Sequence, residues 1–292
     1  DVPGFCFEVW KGLRDTDIPL IHYVAPTVWA WRPRRAKAFA AELDHLLALL
    51  PFEPPFFEKE GLACTFVGHP VLEGGAGKGD VAAFRAKHGI DPDALVVSVL
   101  TGSRHGEIKR LTAVFRGAAE KIVERHPDVV FAFPTVSYIR EALERRIAGW
   151  PGRAVVVDTI AEKFDAMAAS SAAMAASGTV SLELALAGVP HTVAYRLHPI
   201  TIAVIKIMHG VRQQFVNLVN ILLEREAIPE LIQAKCRPEI VAAETLALLD
   251  DEGARAAQLA AMREALDMLR PPQGSPSETA ADVVLSYLNP TR

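Results

Sequence analysis

A polar loop at the end of an apolar run carries residue types that hold anions. The run LVVSVL breaks into Thr-Gly-Ser-Arg, so Gly102, Ser103 and Arg104 stand just before a helix pattern that begins at Glu107. Helix N-termini present unpaired backbone N–H groups and the positive end of the helix dipole, so an arginine placed there favours a bound phosphate. The alternative is a surface turn in which Arg104 pairs with a nearby glutamate.

A second loop of the same kind, Ser177-Gly178-Thr179, follows the small-residue run AAMAA and opens the helix pattern VSLELALAG. Gly178 permits close approach of a ligand, and Thr179 can cap the helix and contact a phosphate oxygen. Glu183 lies one helical turn beyond Thr179 on the same face, where its carboxylate can accept both hydroxyls of a ribose. An isolated helix glutamate is more often a solvated surface residue. Together, however, the two loops and this acid describe a site for a nucleoside diphosphate.

The sequence lacks the motifs of several other ligand classes. No GxxxxGKS/T segment occurs, which excludes a P-loop nucleotidase, and no GxGxxG follows a strand, which disfavours a nicotinamide dehydrogenase. No HExxH, carboxylate cluster or histidine pair points to a catalytic metal. The formal net charge of −4, without a dense basic stripe, argues against nucleic acid as a partner. Cys6, Cys64 and Cys236 have no metal-ligand spacing and are expected to be reduced core thiols.

Apolar runs alternate with helix patterns along most of the chain, which predicts an α/β fold with parallel sheets. The predicted strands are 20–25, 46–50, 65–68, 95–100, 129–133, 154–157, 172–176 and 191–194. The helix predicted at 107–125 has one apolar face. After about residue 229 we expect no further strands, and the predicted helices there are 238–250, 254–269 and 278–288.

The glycine-rich stretch 74–80 has the composition of a linker between two sets of β/α units. We therefore predict the tail of one Rossmann-like domain in residues 1–73 and a complete second one in 74–252. Closing helices in 253–292 are expected to pack back across the domains. The opening DVPGF has no initiator methionine and no signal-peptide core, so we expect upstream residues. No apolar stretch reaches the roughly 18 residues of a membrane span, and the apolar helix candidate 199–208 is too short.

Several segments spread over nearly the whole chain resemble one family of bacterial glycosyltransferases. They read HYVAPTVWAWRPRRAKAF, LALLPFEPPFFEKEG, FVGHP, GSRxxEIxRL, ASGTVSLELALAGVP, AYRLHPITIAVIK and VNLVNILLERE. In this order they are similar to the lipid-A-disaccharide synthases, and the Trp-Ala-Trp-Arg segment together with LLPFE is specific to that family. The resemblance implies a GT-B architecture, in which two Rossmann-like domains enclose the active site. Here the first domain is expected to be incomplete and a C-terminal helical segment closes the chain.

The resemblance also implies a reaction and a place of action. The enzyme transfers 2,3-diacylglucosamine from UDP-2,3-diacylglucosamine to the 6-hydroxyl of 2,3-diacylglucosamine 1-phosphate (lipid X), with inversion at the anomeric carbon. The products are the β(1→6) lipid A disaccharide 1-phosphate and UDP, and neither a metal nor a cofactor is implied. Because both substrates are acylated, the enzyme is expected in the cytoplasm, peripheral at the inner face of the cytoplasmic membrane. A homodimer is one assembly that the resemblance allows.

The family motifs suggest roles for individual residues in nucleotide binding. The residues implied to contact the UDP part of the donor are Ser103, Arg104, Gly178, Thr179, Glu183, Asn220 and Glu226. Ser103 and Arg104 match the loop that contacts the UDP phosphates. Gly178, Thr179 and Glu183 belong to the SGTxxLE element, which matches the usual site for diphosphate and ribose. Asn220 and Glu226 match an NLLxxRE element of the nucleotide pocket.

Two residues are implied to act in catalysis. Asp1 matches the acid that is proposed as general base on the acceptor hydroxyl, and Arg104 stabilises the departing UDP. Trp29, Trp31 and Arg32 lie near a predicted strand end and can grip a phosphorylated or amphipathic acceptor. By themselves these three residues fit equally well the start of a helix with a solvated basic face.

The chain departs from the family pattern at three places. The opening GEASGD segment is absent, Thr101 stands where the family usually has proline, and Glu73 stands where aspartate is common. Two alternatives therefore stay open. One is another UDP-sugar enzyme of the same architecture, such as a peptidoglycan precursor transferase or a UDP-sugar 2-epimerase. The other is a truncated chain that binds UDP but has no activity.

Overall fold

The structure is a computed structural model that describes residues 3–30, 33–176, 178–196 and 215–288. Its strands are β1 (Ile21–Tyr23), β2 (His45–Ala48), β3 (Ala63–Phe66), β4 (Val96–Leu100), β5 (Val130–Pro134), β6 (Arg153–Val157), β7 (Ala172–Ala176), β8 (His191–Tyr195) and β9 (Glu230–Ile232). Its α-helices are α1 (Pro3–Leu13), α2 (Arg35–Ala40), α3 (Pro54–Glu58), α4 (Val81–His88), α5 (His105–Arg125), α6 (Ser137–Ile147), α7 (Ile160–Ala168), α8 (Val180–Leu186), α9 (Leu218–Leu223), α10 (Pro238–Asp250), α11 (Glu252–Met268) and α12 (Pro276–Leu288). Short 3₁₀ helices cover Pro70–Glu73, Ala76–Lys78 and Gln233–Lys235.

The strands form two sheets in which every pairing is parallel. One sheet has the order β1-β2-β3, and the other has the order β6-β5-β4-β7-β8-β9. In the larger sheet the chain moves outward from β4 to β6 and then returns to the other side of β4 with β7. The strand order therefore reverses between β4 and β7, which is where open α/β sheets bind their ligands. These sheets confirm the predicted α/β fold class.

Each predicted strand overlaps an observed one, but the prediction that strands end before residue 230 is wrong. Strand β9 (Glu230–Ile232) pairs in parallel with β8, with Val193 opposite Glu230. The strand was missed because it is only three residues long and begins with a carboxylate, which gives no apolar run. The apolar helix candidate 199–208 lies outside the described residues.

The contacts within the chain group its residues into two compact units. The first unit contains residues 1–74 and 267–292, and most of residues 75–266 form the second. In the first unit the side chains of Trp10, Phe39, Leu46 and Phe57 are buried together in one core. The predicted domain boundaries stay a prediction, because grouping by contacts does not show which segments fold independently.

The core of the second unit lies on both faces of the larger sheet. Strands β4, β5 and β7 are buried along their whole length, as expected for central parallel strands that helices cover on both sides. Helix α5 places its apolar face on this sheet, with Ile108, Leu111 and Phe115 almost fully buried, and it also packs against α10. This packing holds the N-terminus of α5 at the carboxyl end of β4.

The three cysteines are free thiols, as predicted, although they are not equally buried. Cys64 and Cys236 are buried, whereas Cys6 is half-buried. Burial, together with the charges of Glu53 and Glu58, raises the pKa of the Cys64 thiol to about 12. Burial also raises the pKa of Cys236. Both buried thiols are therefore protonated and unreactive at neutral pH.

Candidate functional site

A cavity of about 350 Å³ lies at the carboxyl ends of β4 and β7, where the strand order reverses. The two strands are direct neighbours there, with Leu100 paired to Ala175, so the loops that follow them lie side by side. The lining residues are Leu100, Gly102, Ser103, Arg104, Glu107, Pro134, Thr135, Val136, Lys163, Ala176, Gly178, Thr179, Val180 and Glu183. The structure thus brings the two loops that the sequence singled out to one cavity within the second unit.

The first loop is folded around the carboxylate of Glu107. The Ser103 N–H donates to Glu107 Oε2 at 3.2 Å, and Arg104 Nη1 donates to Glu107 Oε1 at 3.0 Å. Gly102 has a φ of +98°, and a Cβ placed on it would collide with the carboxylate and the Cβ of Glu107. The positive φ therefore favours glycine here, and the lack of a side chain lets the Glu107 carboxylate lie against the loop backbone.

The Arg104 side chain remains accessible at the cavity despite this pairing. It is 81% exposed, whereas the Glu107 side chain is 15% exposed. The ion pair is the alternative that the sequence raised, and it leaves most of the guanidinium facing solvent. A neighbouring residue also contacts the loop: the exposed Tyr138 donates its hydroxyl hydrogen to the Ser103 carbonyl oxygen at 2.8 Å.

In the second loop, Gly178 leaves open space and Thr179 does not cap the helix as predicted. A Cβ on Gly178 would meet no atom of the described residues within 4 Å apart from its chain neighbours, which leaves room for a ligand near its backbone. Thr179 precedes helix α8 with φ −62° and ψ −19°, and its side chain makes no capping hydrogen bond. The predicted cap is therefore wrong, because a capping side chain needs an extended backbone and Thr179 is already helical. Thr179 still lines the cavity.

Glu183 is not a solvated helix residue, because it forms an ion pair with Lys163 at the cavity. Lys163 Nζ lies 2.7 Å from both carboxylate oxygens, and each side chain is about a quarter exposed (24% and 25%). Lys163 belongs to α7, twenty residues before Glu183 in sequence. Sequence reasoning missed this lysine, since no pattern near it links α7 to the loop after β7.

Asn220 is fully buried and does not line the cavity. Its Nδ2 donates to the Ile228 carbonyl oxygen at 2.8 Å and to Glu230 Oε1 at 2.9 Å. Its Oδ1 accepts from the N–H groups of Ala227 at 2.9 Å and Ile228 at 2.8 Å. These four hydrogen bonds tie α9 to the chain that leads into β9 and to its first residue.

Glu226, the other residue of the NLLxxRE element, is exposed and lines a different surface depression, with Lys235 and Glu244 among its neighbours. Its Oε1 accepts from the Glu230 N–H at 3.4 Å. The structure therefore does not bring Asn220 and Glu226 together with the loops at the cavity.

Trp29 lies in the first unit, where its indole N–H donates to Glu53 Oε1 at 3.2 Å. Its ring meets Phe52 edge to face, with the centroids 5.3 Å apart. The Glu53 carboxylate is 3% exposed and also accepts from the N–H groups of Leu49 and Leu50. Burial raises the pKa of Glu53 to about 7, although these hydrogen bonds favour its charged form.

The contact between Trp29 and Glu53 joins the two segments that are most specific to the resemblance, the Trp-Ala-Trp-Arg segment and LLPFE. Of the remaining predicted residues, Asp1, Trp31 and Arg32 lie outside the described part of the chain. Within that part, no group of three or more His, Cys, Asp or Glu side chains could hold a metal ion. Among the described helices, none is long and apolar enough to cross a membrane.

Comparison with known families identifies one that matches nearly the whole chain. A family model described as lipid-A-disaccharide synthetase matches residues 1–284. The chain belongs to this family. It is therefore a hexosyltransferase of lipid A biosynthesis, which confirms the function and the enzyme class implied by the resemblance, and a different kind of UDP-sugar enzyme is not favoured.

Individual lipid-A-disaccharide synthases are similar over nearly the whole chain. The one from Rhodospirillum centenum is 49% identical over 290 residues, which cover 99% of this chain and 72% of that protein. The one from Paramagnetospirillum magneticum is 45% identical over 287 residues, which cover 98% of this chain and 73% of that protein. The relatives are thus longer than the chain described here.

Solved structures of lower sequence identity share the fold of this lipid-A-disaccharide synthase family member. A UDP-GlcNAc 2-epimerase from Neisseria meningitidis, bound to UDP-GlcNAc, has a TM-score of 0.59 and 11% identity, covering 97% of this chain and 73% of that one. The MnaA–UDP co-structure from S. aureus has a TM-score of 0.65 and 14% identity, with the same coverage. At this identity the likeness shows the fold alone.

Proposed function

We propose that the cavity between the loops after β4 and β7 holds the UDP part of UDP-2,3-diacylglucosamine. The observation that carries this proposal is the meeting of both loops, Arg104 and Glu183 around one cavity at the reversal of strand order. Ligands bind at this position in open α/β sheets. The Ser103 N–H and the exposed Arg104 guanidinium supply donors for the diphosphate, and the open space at Gly178 admits a phosphate oxygen.

The ribose is assigned to the Glu183 carboxylate, which can accept a hydrogen bond from each hydroxyl. Lys163 holds this carboxylate at 2.7 Å and balances its charge, so a neutral diol binds to an already oriented acceptor. Lys163 is thus proposed as a positioning residue. Asn220 and Glu226 are left out of this assignment, because neither lines the cavity.

The second substrate is proposed to be lipid X. The hydroxyl oxygen at its carbon 6 attacks the anomeric carbon of the donor sugar, the bond from that carbon to the UDP oxygen breaks, and the hydroxyl proton passes to a carboxylate. Asp1 is the proposed base, and Trp29, Trp31 and Arg32 are proposed acceptor contacts. The indole N–H of Trp29 already donates to Glu53, so the proposed contact of Trp29 with the acceptor is apolar. Arg104 stabilises the negative charge that develops on UDP.

Because both substrates are acylated, the enzyme is proposed to act as a peripheral protein at the inner face of the cytoplasmic membrane. Sedimentation with phospholipid vesicles that contain lipid X tests this part of the proposal, and sedimentation no greater than that of the protein without vesicles contradicts it. A homodimer also remains a proposal, which light scattering of the purified protein tests.

The main experiment replaces Arg104 with alanine and measures the formation of disaccharide 1-phosphate by mass spectrometry. We expect turnover to fall by about a hundredfold or more, since the residue acts on the leaving diphosphate. Arg145→Ala is the matched control, because Arg145 forms an exposed ion pair with Glu141 on α6, away from the cavity lining. Near-normal turnover in Arg104→Ala would remove Arg104 from the mechanism. UDP binding without any product from the unaltered protein would instead contradict the proposed acceptor, lipid X.

A further inference from the structure

We infer that Glu107 is an internal competitor of the donor diphosphate, whose carboxylate occupies the same donors and must leave them when UDP binds. This inference rests on the proposed function, since it takes Ser103 and Arg104 as the diphosphate site. Both oxygens of the carboxylate are engaged there, Oε2 with the Ser103 N–H and Oε1 with the Arg104 guanidinium. A phosphate group requires donors of the same kind in the same place.

The Glu107 pair differs from an ordinary ion pair on a helix surface. In the pair of Glu141 with Arg145 on α6, both side chains are exposed (84% and 66%). Glu107 is instead 15% exposed and lies against the backbone of Gly102, where even a methyl group would collide with its carboxylate. The loop is therefore shaped around this carboxylate.

Charge makes simultaneous occupancy unfavourable. A diphosphate held by the Ser103 N–H and Arg104 would lie within a few ångströms of the Glu107 carboxylate, and like charges at that distance repel. Glu107 lies in the first turn of α5 and lines the cavity, so rotation about its side-chain torsions can move the carboxylate off the two donors. Arg104 pairs with the Glu107 carboxylate in the free protein and with the diphosphate when UDP is bound, so it has an anionic partner in both states.

This exchange has a consequence for turnover. Displacing Glu107 weakens the binding of every ligand that carries the diphosphate, including the product UDP, whereas ligands without phosphate are unaffected. Once the sugar has been transferred, the returning carboxylate favours release of UDP. Glu107 thus sets the affinity of the site for UDP.

The test is a calorimetric titration of the protein with UDP and, separately, with uridine. Glu107→Gln keeps the size of the side chain and one oxygen acceptor but removes the charge. We expect the Kd for UDP to fall by about tenfold and the Kd for uridine to stay unchanged, because uridine carries no phosphate. Glu107→Ala, which removes the carboxylate altogether, is expected to tighten UDP binding in the same way. Glu141→Gln is the matched control and is expected to leave both values unchanged.

The outcomes separate this inference from the proposed function. If Arg104→Ala weakens UDP binding but not uridine binding, the diphosphate site stands. Unchanged or weaker UDP binding in Glu107→Gln and Glu107→Ala, both folded by circular dichroism, then overturns the inference alone and makes Glu107 a support of the loop. If Arg104→Ala binds UDP as tightly as the unaltered protein, the diphosphate site itself is refuted and the inference falls with it.

Discussion

Replacing Asn220 with alanine distinguishes a structural role for this residue from the nucleotide-binding role that the family motif implies. The side chain is fully buried and makes four hydrogen bonds, two as donor and two as acceptor. We expect Asn220→Ala to destabilise the protein strongly without a direct effect on nucleotide affinity.

The magnitude follows from the groups that lose their partner. The substitution leaves the N–H groups of Ala227 and Ile228 and the Ile228 carbonyl without the Asn220 side chain. A buried polar group that loses its hydrogen bond costs about 1–3 kcal/mol. The Glu230 carboxylate keeps two other donors, the N–H groups of Val216 and Asn217, so its loss is smaller. Allowing for relaxation, we expect a decrease of about 3–5 kcal/mol in the free energy of unfolding.

The assay is equilibrium unfolding in urea, followed by far-ultraviolet circular dichroism, together with calorimetric titration of the folded variant with UDP. Gln273→Ala serves as the control, because Gln273 is exposed and its truncation is expected to change the free energy of unfolding by less than about 0.5 kcal/mol. Asn220→Asp keeps the oxygen that accepts from Ala227 and Ile228 but places a second carboxylate beside Glu230. It is therefore expected to destabilise the protein as well.

One result would refute this reasoning. Suppose that Asn220→Ala lowers the free energy of unfolding by less than about 1 kcal/mol and abolishes UDP binding. The main role of Asn220 is then not to stabilise the fold through its hydrogen bonds to the chain before β9. Asn220 would then act on the nucleotide, as the resemblance implies, and the described cavity would not contain the whole nucleotide site.

Two further predictions concern charged side chains in the two units. Because burial raises the pKa of Glu53 from 4.5 to about 7, the folded state retains a proton that the unfolded state releases. Stability should therefore fall as pH rises from 5 to 8, by up to about 3 kcal/mol, and Glu53→Gln should lack this loss in urea titrations at each pH. Lys163→Met should weaken uridine binding by about tenfold, because Glu183 loses its ion-pair partner. Lys163→Arg should retain part of the uridine affinity that Lys163→Met loses. Wild-type affinity for uridine in Lys163→Met would contradict the positioning role.

Most of the larger sheet could be predicted from local pattern. Strands covered on both faces are continuous apolar runs, so β4, β5 and β7 stand out in the sequence, and the helix pattern of α5 marks its buried face. The short strand β9 could not be found in this way. Its first residue, Glu230, is a buried carboxylate that accepts hydrogen bonds from the N–H groups of Val216 and Asn217 and from the amide of Asn220, and these contacts offset the cost of burying it.

At the cavity, too, some features could be predicted from local sequence patterns and others could not. The sequence predicts that Arg104 and Gly178 follow strands and precede helices, because those features depend on short-range periodicity and backbone preference. The strand order places β4 beside β7 and so gives both loops one cavity, as their composition suggested. The contact of Lys163 with Glu183, and the folding of Glu107 over Gly102, came from the three-dimensional structure alone. Such contacts depend on how separate elements pack and on which charges lose contact with water on burial. Neither of these produces a periodic pattern in the sequence.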